Sequence, residues 1–156
     1  MTLANLRSKA RRQQIKHGLD LLVIDYLQLM NIPGNAMRDN PTNRVTEISR
    51  QLKQLASELH VPVIAVSQLS RAVEIRPGNI PQLSDLRESG AIEQDAHVVL
   101  MLYREELYEE DCAHPGLTDV YIRKNRNGQT GKVQLFFEAK RTLFKNYSAR
   151  TEQQSR

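Results

Sequence analysis

A chain of 156 residues, 40% hydrophobic and 26% charged, is long enough to bury one ordinary domain core and has the balance of a globular protein. No apolar run approaches the roughly 20 residues of a membrane span, and the opening Met1-Thr2-Leu3-Ala4-Asn5 lacks the apolar stretch of a secretory leader. The lone Cys112 excludes an intrachain disulfide and a multi-cysteine zinc site; the formal charge of +4 is spread over separated basic clusters, which suit a polyanionic partner or simply a solvated surface.

In chain order, residues 3–17 read as a basic helix with Leu3, Leu6, Ala10 and Ile15 on one side, and Gly18 ends it. Leu19 to Ile24 is a near-continuous apolar run, the mark of a strand buried on both faces of a parallel sheet. Residues 31–43, rich in Asn, Pro and Gly, read as a loop. The next helix has Asn40 as its cap and Pro41 at its first position, with Val45, Ile48, Leu52, Leu55, Ala56 and Leu59 at helical spacing. Val61–Val66 is a second apolar strand, so strand, helix and strand form a crossover unit.

Beyond it lies a loop at 70–81, then a short helix near Ser84–Ser89 that breaks at Gly90. A third apolar strand spans His97–Leu102. Residues 105–117 read as an acidic loop. Thr118–Arg123, Lys132–Glu138 and Thr142–Tyr147 alternate and carry aromatics, the pattern of strands that turn antiparallel, with Asn127-Gly128 and Thr130-Gly131 marking turns. The expectation is one α/β domain over 1–147, with a mostly parallel sheet and an antiparallel edge, followed by a polar tail at 148–156.

Four places carry polar groups where such a fold puts its chemistry. Asp25 ends the first apolar strand, and ligands of open α/β sheets sit at the carboxyl ends of strands. A carboxylate there suits a hydrated Mg²⁺, the pattern of a Walker B strand, although many strands end in Asp only because a loop begins. Ser67-Gln68 repeats the geometry after the second strand; the Gln amide both donates and accepts, so it suits a terminal phosphate, or else the pair merely opens a turn. Lys124 and Arg126 alternate at the end of a late strand, either reaching an anion presented by a partner or guarding an exposed edge. Around Gly90, backbone N–H groups suit a nucleic-acid phosphate; the plainer reading is a connector between helices.

Taken together and in this order, LLVIDYLQLM, VPVIAVSQLSR, LSDLRESGAIEQDA and RKNRNGQTGKVQL resemble the replicative DNA helicases of the DnaB type, from about Leu3 to Tyr147. The resemblance implies a RecA-like P-loop NTPase core, incomplete at its N-terminus, in a cytoplasmic, nucleoid-associated protein without a membrane partner. It implies a six-membered ring on single-stranded DNA that uses ATP and Mg²⁺ and works with a primase and a helicase loader. Asp25 is then the Walker B acid for Mg²⁺, and Gln68 the sensor of the terminal phosphate. Lys124 and Arg126 are the cations offered to the neighbour's site, Arg126 as arginine finger. Arg87, Glu88 and Gly90 match the loop that holds the DNA backbone.

Two departures from the family pattern stand out. No G-x-x-x-x-G-K-[ST] segment occurs, the single Gly131-Lys132 pair being followed by Val133, and the family's upstream catalytic glutamate has no counterpart. These 156 residues alone are therefore expected to be inactive. His97 also stands where the family has an acid. A RecA-like recombinase or clock-type ATPase is disfavoured by the RESGAIEQDA segment, and a non-catalytic module that binds helicase subunits or DNA is the alternative from another class.

Overall fold

The computed structural model describes residues 1–31, 41–86, 90–109 and 111–147. They fall into two compact units, one made of Met1–Arg71 with Leu83–Ala96, the other of Ala72–Gln82 with residues from His97 onward.

The first unit is built around two helices and a parallel strand pair. Helix α1 spans Leu3–His17; the Thr2 side chain accepts from the Asn5 N–H at its start, and Gly18, at φ +80°, closes it by donating its N–H to the Gln14 carbonyl. A positive φ of this size suits a residue without Cβ. Leu3, Leu6 and Ala10 are the buried face of α1, whereas Ile15, read on the same side, is exposed in the last turn. Two of its arginines serve the packing on the next helix: Arg7 and Arg11 pair with Glu58 at 3.4 and 3.2 Å, and Gln14 Nε2 donates to the Leu59 carbonyl at 2.7 Å.

Helix α2, Pro41–Leu59, begins at the proline as its sequence predicts; the capping role read for Asn40 and most of the loop at 31–43 lie outside the described residues. Its apolar stripe is the core of the unit, with Val45, Ile48, Leu52, Leu55 and Leu59 all buried. Burying side chains of this size contributes about 1.5–3 kcal/mol each, which is what holds a helix that its own backbone bonds would hold only weakly.

Strands β1 (Leu22–Ile24) and β2 (Val63–Ala65) pair in parallel, Leu22 with Val63, Val23 with Ile64 and Ile24 with Ala65. Both are shorter than the apolar runs that contain them, because only three residue pairs form the ladder. Burial on both faces is not met in β1: Ile24 is buried, whereas Val23, on the opposite face, is exposed. Successive side chains of a strand point to opposite faces, so one face of β1 is covered and the other is open. The predicted short helix near Ser84–Ser89 lies partly outside the described residues; its described part holds a 3₁₀ turn at Leu83–Asp85. Gly90, read as a break, is the first residue of helix α3, Gly90–Asp95.

The second unit is a four-stranded antiparallel sheet in the order β3 (Val98–Tyr103), β4 (Leu117–Asn125), β5 (Gly131–Glu138) and β6 (Leu143–Asn146). Both parallel and antiparallel pairing are present as expected, but the third apolar run, β3, belongs to the antiparallel set. An apolar run does not say which neighbour it pairs with. The pairing of β3 with β4 shifts register between Val99 and Leu100: Val99 faces Lys124 and Leu100 faces Ile122, so Arg123 is the extra residue of a bulge. Its guanidinium donates to the Pro81 carbonyl at 2.9 Å and lies 4.2 Å over the Tyr121 ring. Gly116, at φ +81°, precedes β4 where a Cβ would stand 2.8 Å from the Phe136 ring, so glycine is required there twice over.

Candidate functional site

The carboxyl edge of the parallel pair is where the first unit gathers its polar groups. Beyond the last strand pair, Val66 N–H donates to the Ile24 carbonyl and Leu27 N–H to the Val66 carbonyl, each at 2.9 Å. The two chains therefore leave the sheet side by side. Asp25 follows Ile24 directly and is exposed, and Gln68 stands three residues past Ala65, also exposed. The apolar β1 and β2 bring these two residues to one edge without burying either. The Asp25–Tyr26 peptide is cis.

One residue at this edge carries no signal in the sequence. Gln28, in the 3₁₀ turn Leu27–Leu29, donates Nε2–H to Ser67 Oγ at 3.1 Å and accepts from the Gln68 N–H at 3.4 Å. It links the loop after β1 to the loop after β2. From Gln68 the chain runs on to a bridge between Leu69 and Leu86, with the Ser70 N–H donating to the Asp85 carbonyl at 2.8 Å. Asp85 itself is 1% exposed. Arg87 and Glu88 lie outside the described residues; Gly90 opens α3, whose Asp95 accepts from Ser49 Oγ at 2.7 Å.

Lys124 and Arg126 are in the second unit. Lys124 is the penultimate residue of β4. Arg126 follows the strand and opens the turn toward Gly128, and its backbone N–H donates to the His97 carbonyl at 2.8 Å. His97 thus serves at that position through its backbone acceptor.

A magnesium ion takes oxygen ligands and keeps several of its waters, so it needs few protein donors. Among the described residues no group of three or more His, Cys, Asp or Glu side chains gathers to enclose a metal. An exposed carboxylate at a strand end, Asp25, has the donor chemistry for a largely hydrated Mg²⁺. No helix among the described residues is long and apolar enough to cross a membrane.

The DnaB-like helicase C terminal domain family matches residues 1–146, nearly the whole chain. The chain belongs to this family. Among its curated DnaB relatives, the replicative DNA helicase DnaB of Pasteurella multocida is 50% identical over 147 residues, which cover 94% of this chain and 31% of that protein. The replicative DNA helicase DnaB of Geobacillus stearothermophilus is 46% identical over 151 residues, 97% of this chain and 33% of that protein. The chain thus spans about a third of the length of the DnaB relatives it matches. A solved DnaB-like replicative helicase, described with its interactions with primase, superposes at a TM-score of 0.88 with 42% identity, over 95% of this chain and 35% of that one. A separately solved ATPase domain also superposes at 0.88 with 42% identity, over 95% of this chain and 52% of its own length. The fold is the α/β RecA-like fold of these domains.

Proposed function

We propose that residues 1–147 are the C-terminal part of the motor domain of an ATP-dependent replicative DNA helicase. The motor works as a hexameric ring that moves on single-stranded DNA and separates duplex DNA at the replication fork, with a primase and a helicase loader as partners, in the cytoplasm at the nucleoid. The observation that carries this reading is the edge formed by Asp25 and Gln68 at the carboxyl ends of paired parallel strands, in a chain of the DnaB-like helicase family.

In this reading Asp25 holds the magnesium ion of ATP through water, and Gln68 meets the terminal phosphate. Bound magnesium supplies charge neutralisation for the phosphoryl group as it leaves. Both residues stay exposed to the nucleotide because the strands that carry them end beneath them. Lys124 and Arg126 extend from the end of β4 toward the nucleotide of the neighbouring subunit, Arg126 as the arginine finger. Arg87, Glu88 and Gly90 hold the DNA backbone in the ring channel, without base reading, as a motor indifferent to sequence requires.

The test is ATP turnover and forked-duplex unwinding by the full-length protein. Asp25→Asn abolishes magnesium-dependent turnover while the protein still folds. Arg126→Ala, mixed into rings with subunits that carry their own intact sites, lowers turnover by about 100-fold or more per affected site. Strand exchange without unwinding would assign the chain to a recombinase instead. Absence of turnover, together with binding to an intact homologous ring, would assign it to a non-catalytic interaction module.

A further inference from the structure

The carboxamide of Gln28 occupies the place that the next peptide unit would take if the parallel ladder continued. Below it, backbone bonds alternate from one chain to the other: Val66 N–H to Ile24 C=O, then Leu27 N–H to Val66 C=O. The ladder then runs out, because the chain turns at Leu27–Leu29. At that point the Gln28 side chain donates through Nε2 to Ser67 Oγ and accepts through Oε1 from the Gln68 N–H. A carboxamide offers one donor face and one acceptor face, as a peptide does, and Asn would be one methylene too short from the same backbone. The turn that aims it is anchored by Leu27 and Met30, 2% and 3% exposed. Gln28 is half-buried.

We propose that Gln28 is the positioning residue that fixes the backbone of Gln68 against the Asp25 loop. It acts through Gln68 and does not touch nucleotide itself. Without it, the Gln68 N–H loses its acceptor, and among the described residues the Leu27–Val66 backbone bond is what still ties the segment after β2 to the first loop. A displaced contact of this kind lowers the rate of the chemical step more than the binding of substrate, because binding draws on many contacts and the transition state on exact placement of few. The proposal rests on the reading of Gln68 as the residue that meets the terminal phosphate.

The test is a set of variants of the full-length protein assayed for single-stranded-DNA-stimulated ATP turnover. Gln28→Leu keeps the volume and removes both hydrogen-bonding functions. It lowers kcat between about 5- and 100-fold with KM for ATP within about twofold of wild type. Gln28→Glu keeps an acceptor for the Gln68 N–H, and the Ser67 hydroxyl can rotate to donate to it; this variant recovers most of the lost kcat. In the double variant Gln28→Leu with Gln68→Ala, kcat equals that of Gln68→Ala alone, because a residue that acts through Gln68 has nothing left to position.

Multiplying losses in the double variant would overturn the proposal, as would a Gln28→Leu enzyme with wild-type kcat. If Gln68→Ala itself turns over ATP at the wild-type rate, the reading of Gln68 fails, and the positioning role fails with it for a separately visible reason. Should Gln28→Leu not fold, Gln28→Lys takes its place with the same expected outcomes, since it keeps a donor for Ser67 and lacks the acceptor for Gln68.

Discussion

Ser49 and Asp95 are joined across the packing of α2 on α3 by a hydrogen bond of 2.7 Å from the serine hydroxyl to the carboxylate. Helix α3 has six residues, too few to persist on backbone bonds alone. It is held by burial of Ile92, 9% exposed, and by this bond. Ser49 is itself 9% exposed, so water does not readily replace it as the partner. Ser49→Ala is expected to cost about 1–2 kcal/mol, the lower part of the range for bonds to charged acceptors because Asp95 is half-buried. Hydrogen exchange of the amides of residues 91–95 in the full-length protein checks it. Their protection falls in the variant while that of α2 holds; unchanged protection would mean that Ile92 alone secures the helix.

Thr118 is a case of the opposite sign. It is 1% exposed, and its Oγ1 has no hydrogen-bond partner among the described residues. A buried hydroxyl without a partner has lost its water and gained nothing for it. Thr118→Val keeps the shape and removes the hydroxyl, and is expected to stabilise the protein by about 1 kcal/mol. Denaturant midpoints at constant slope measure this. A lower midpoint for the valine variant would show that the hydroxyl finds a partner in solution.

Stability has an acid limb and an alkaline limb with separate causes. Hydrogen bonds from Arg50 and Gln51 hold the Glu47 carboxyl below its ordinary 4.5, and Lys145 does the same for Glu138. A lowered folded-state value means stability that is fully present above the unfolded value of 4.5 and is lost as pH falls through the folded one. Lys132 is raised above its ordinary 10.5 by its bond to Asp119, and burial raises Tyr121 above 10.0. For Lys132 the sign is that of a cation gaining a partner: its contribution is present below 10.5 and is lost as pH rises through the raised value. Tyr121 adds to the alkaline fall, because ionising it in the folded state is harder than in the unfolded chain. Unfolding free energy plotted against pH should therefore form a plateau with a fall at each end. Glu47→Gln makes the acid fall shallower, and Asp119→Asn makes the alkaline fall shallower. An alkaline limb unchanged in Asp119→Asn would remove the Lys132 pair from the account.

How much of this is legible in the sequence depends on whether a feature is local. The stripe Val45, Ile48, Leu52, Leu55, Ala56 and Leu59 is written at helical spacing, and every member but the half-buried Ala56 is buried. The antiparallel strands announce themselves by alternation and turn residues, and their bounds fall within a residue or two of expectation. The positions of Asp25 and Gln68 follow from the strands before them. The partner of β3 does not follow, because an apolar run looks the same whichever strand it meets. Gly90 misleads, since glycine ends helices more often than it begins them. Gln28 is invisible, a single amide inside LQLM, and only the pairing of β1 with β2 brings it to Ser67. Arg7 and Arg11, members of a basic cluster by sequence, are engaged with Glu58, a residue 47 positions away from Arg11 along the chain.

The bulge at Arg123 changes how β4 is to be numbered. Before it, Thr118, Val120 and Ile122 share one side of the sheet with Leu100 and Leu102; beyond it, Lys124 stands opposite Val99, on the side of Met101 and Tyr121. Even-numbered residues thus change sides within a single strand. Pairing Arg123 itself with Val99 would restore the simple alternation and carry the Lys124 side chain to the opposite surface, with every atom of the lysine itself unaltered. The reach of that cation is therefore encoded in the parity of its neighbours, and the same lysine in a strand of equal length that pairs without the bulge would be the same letter pointing the other way.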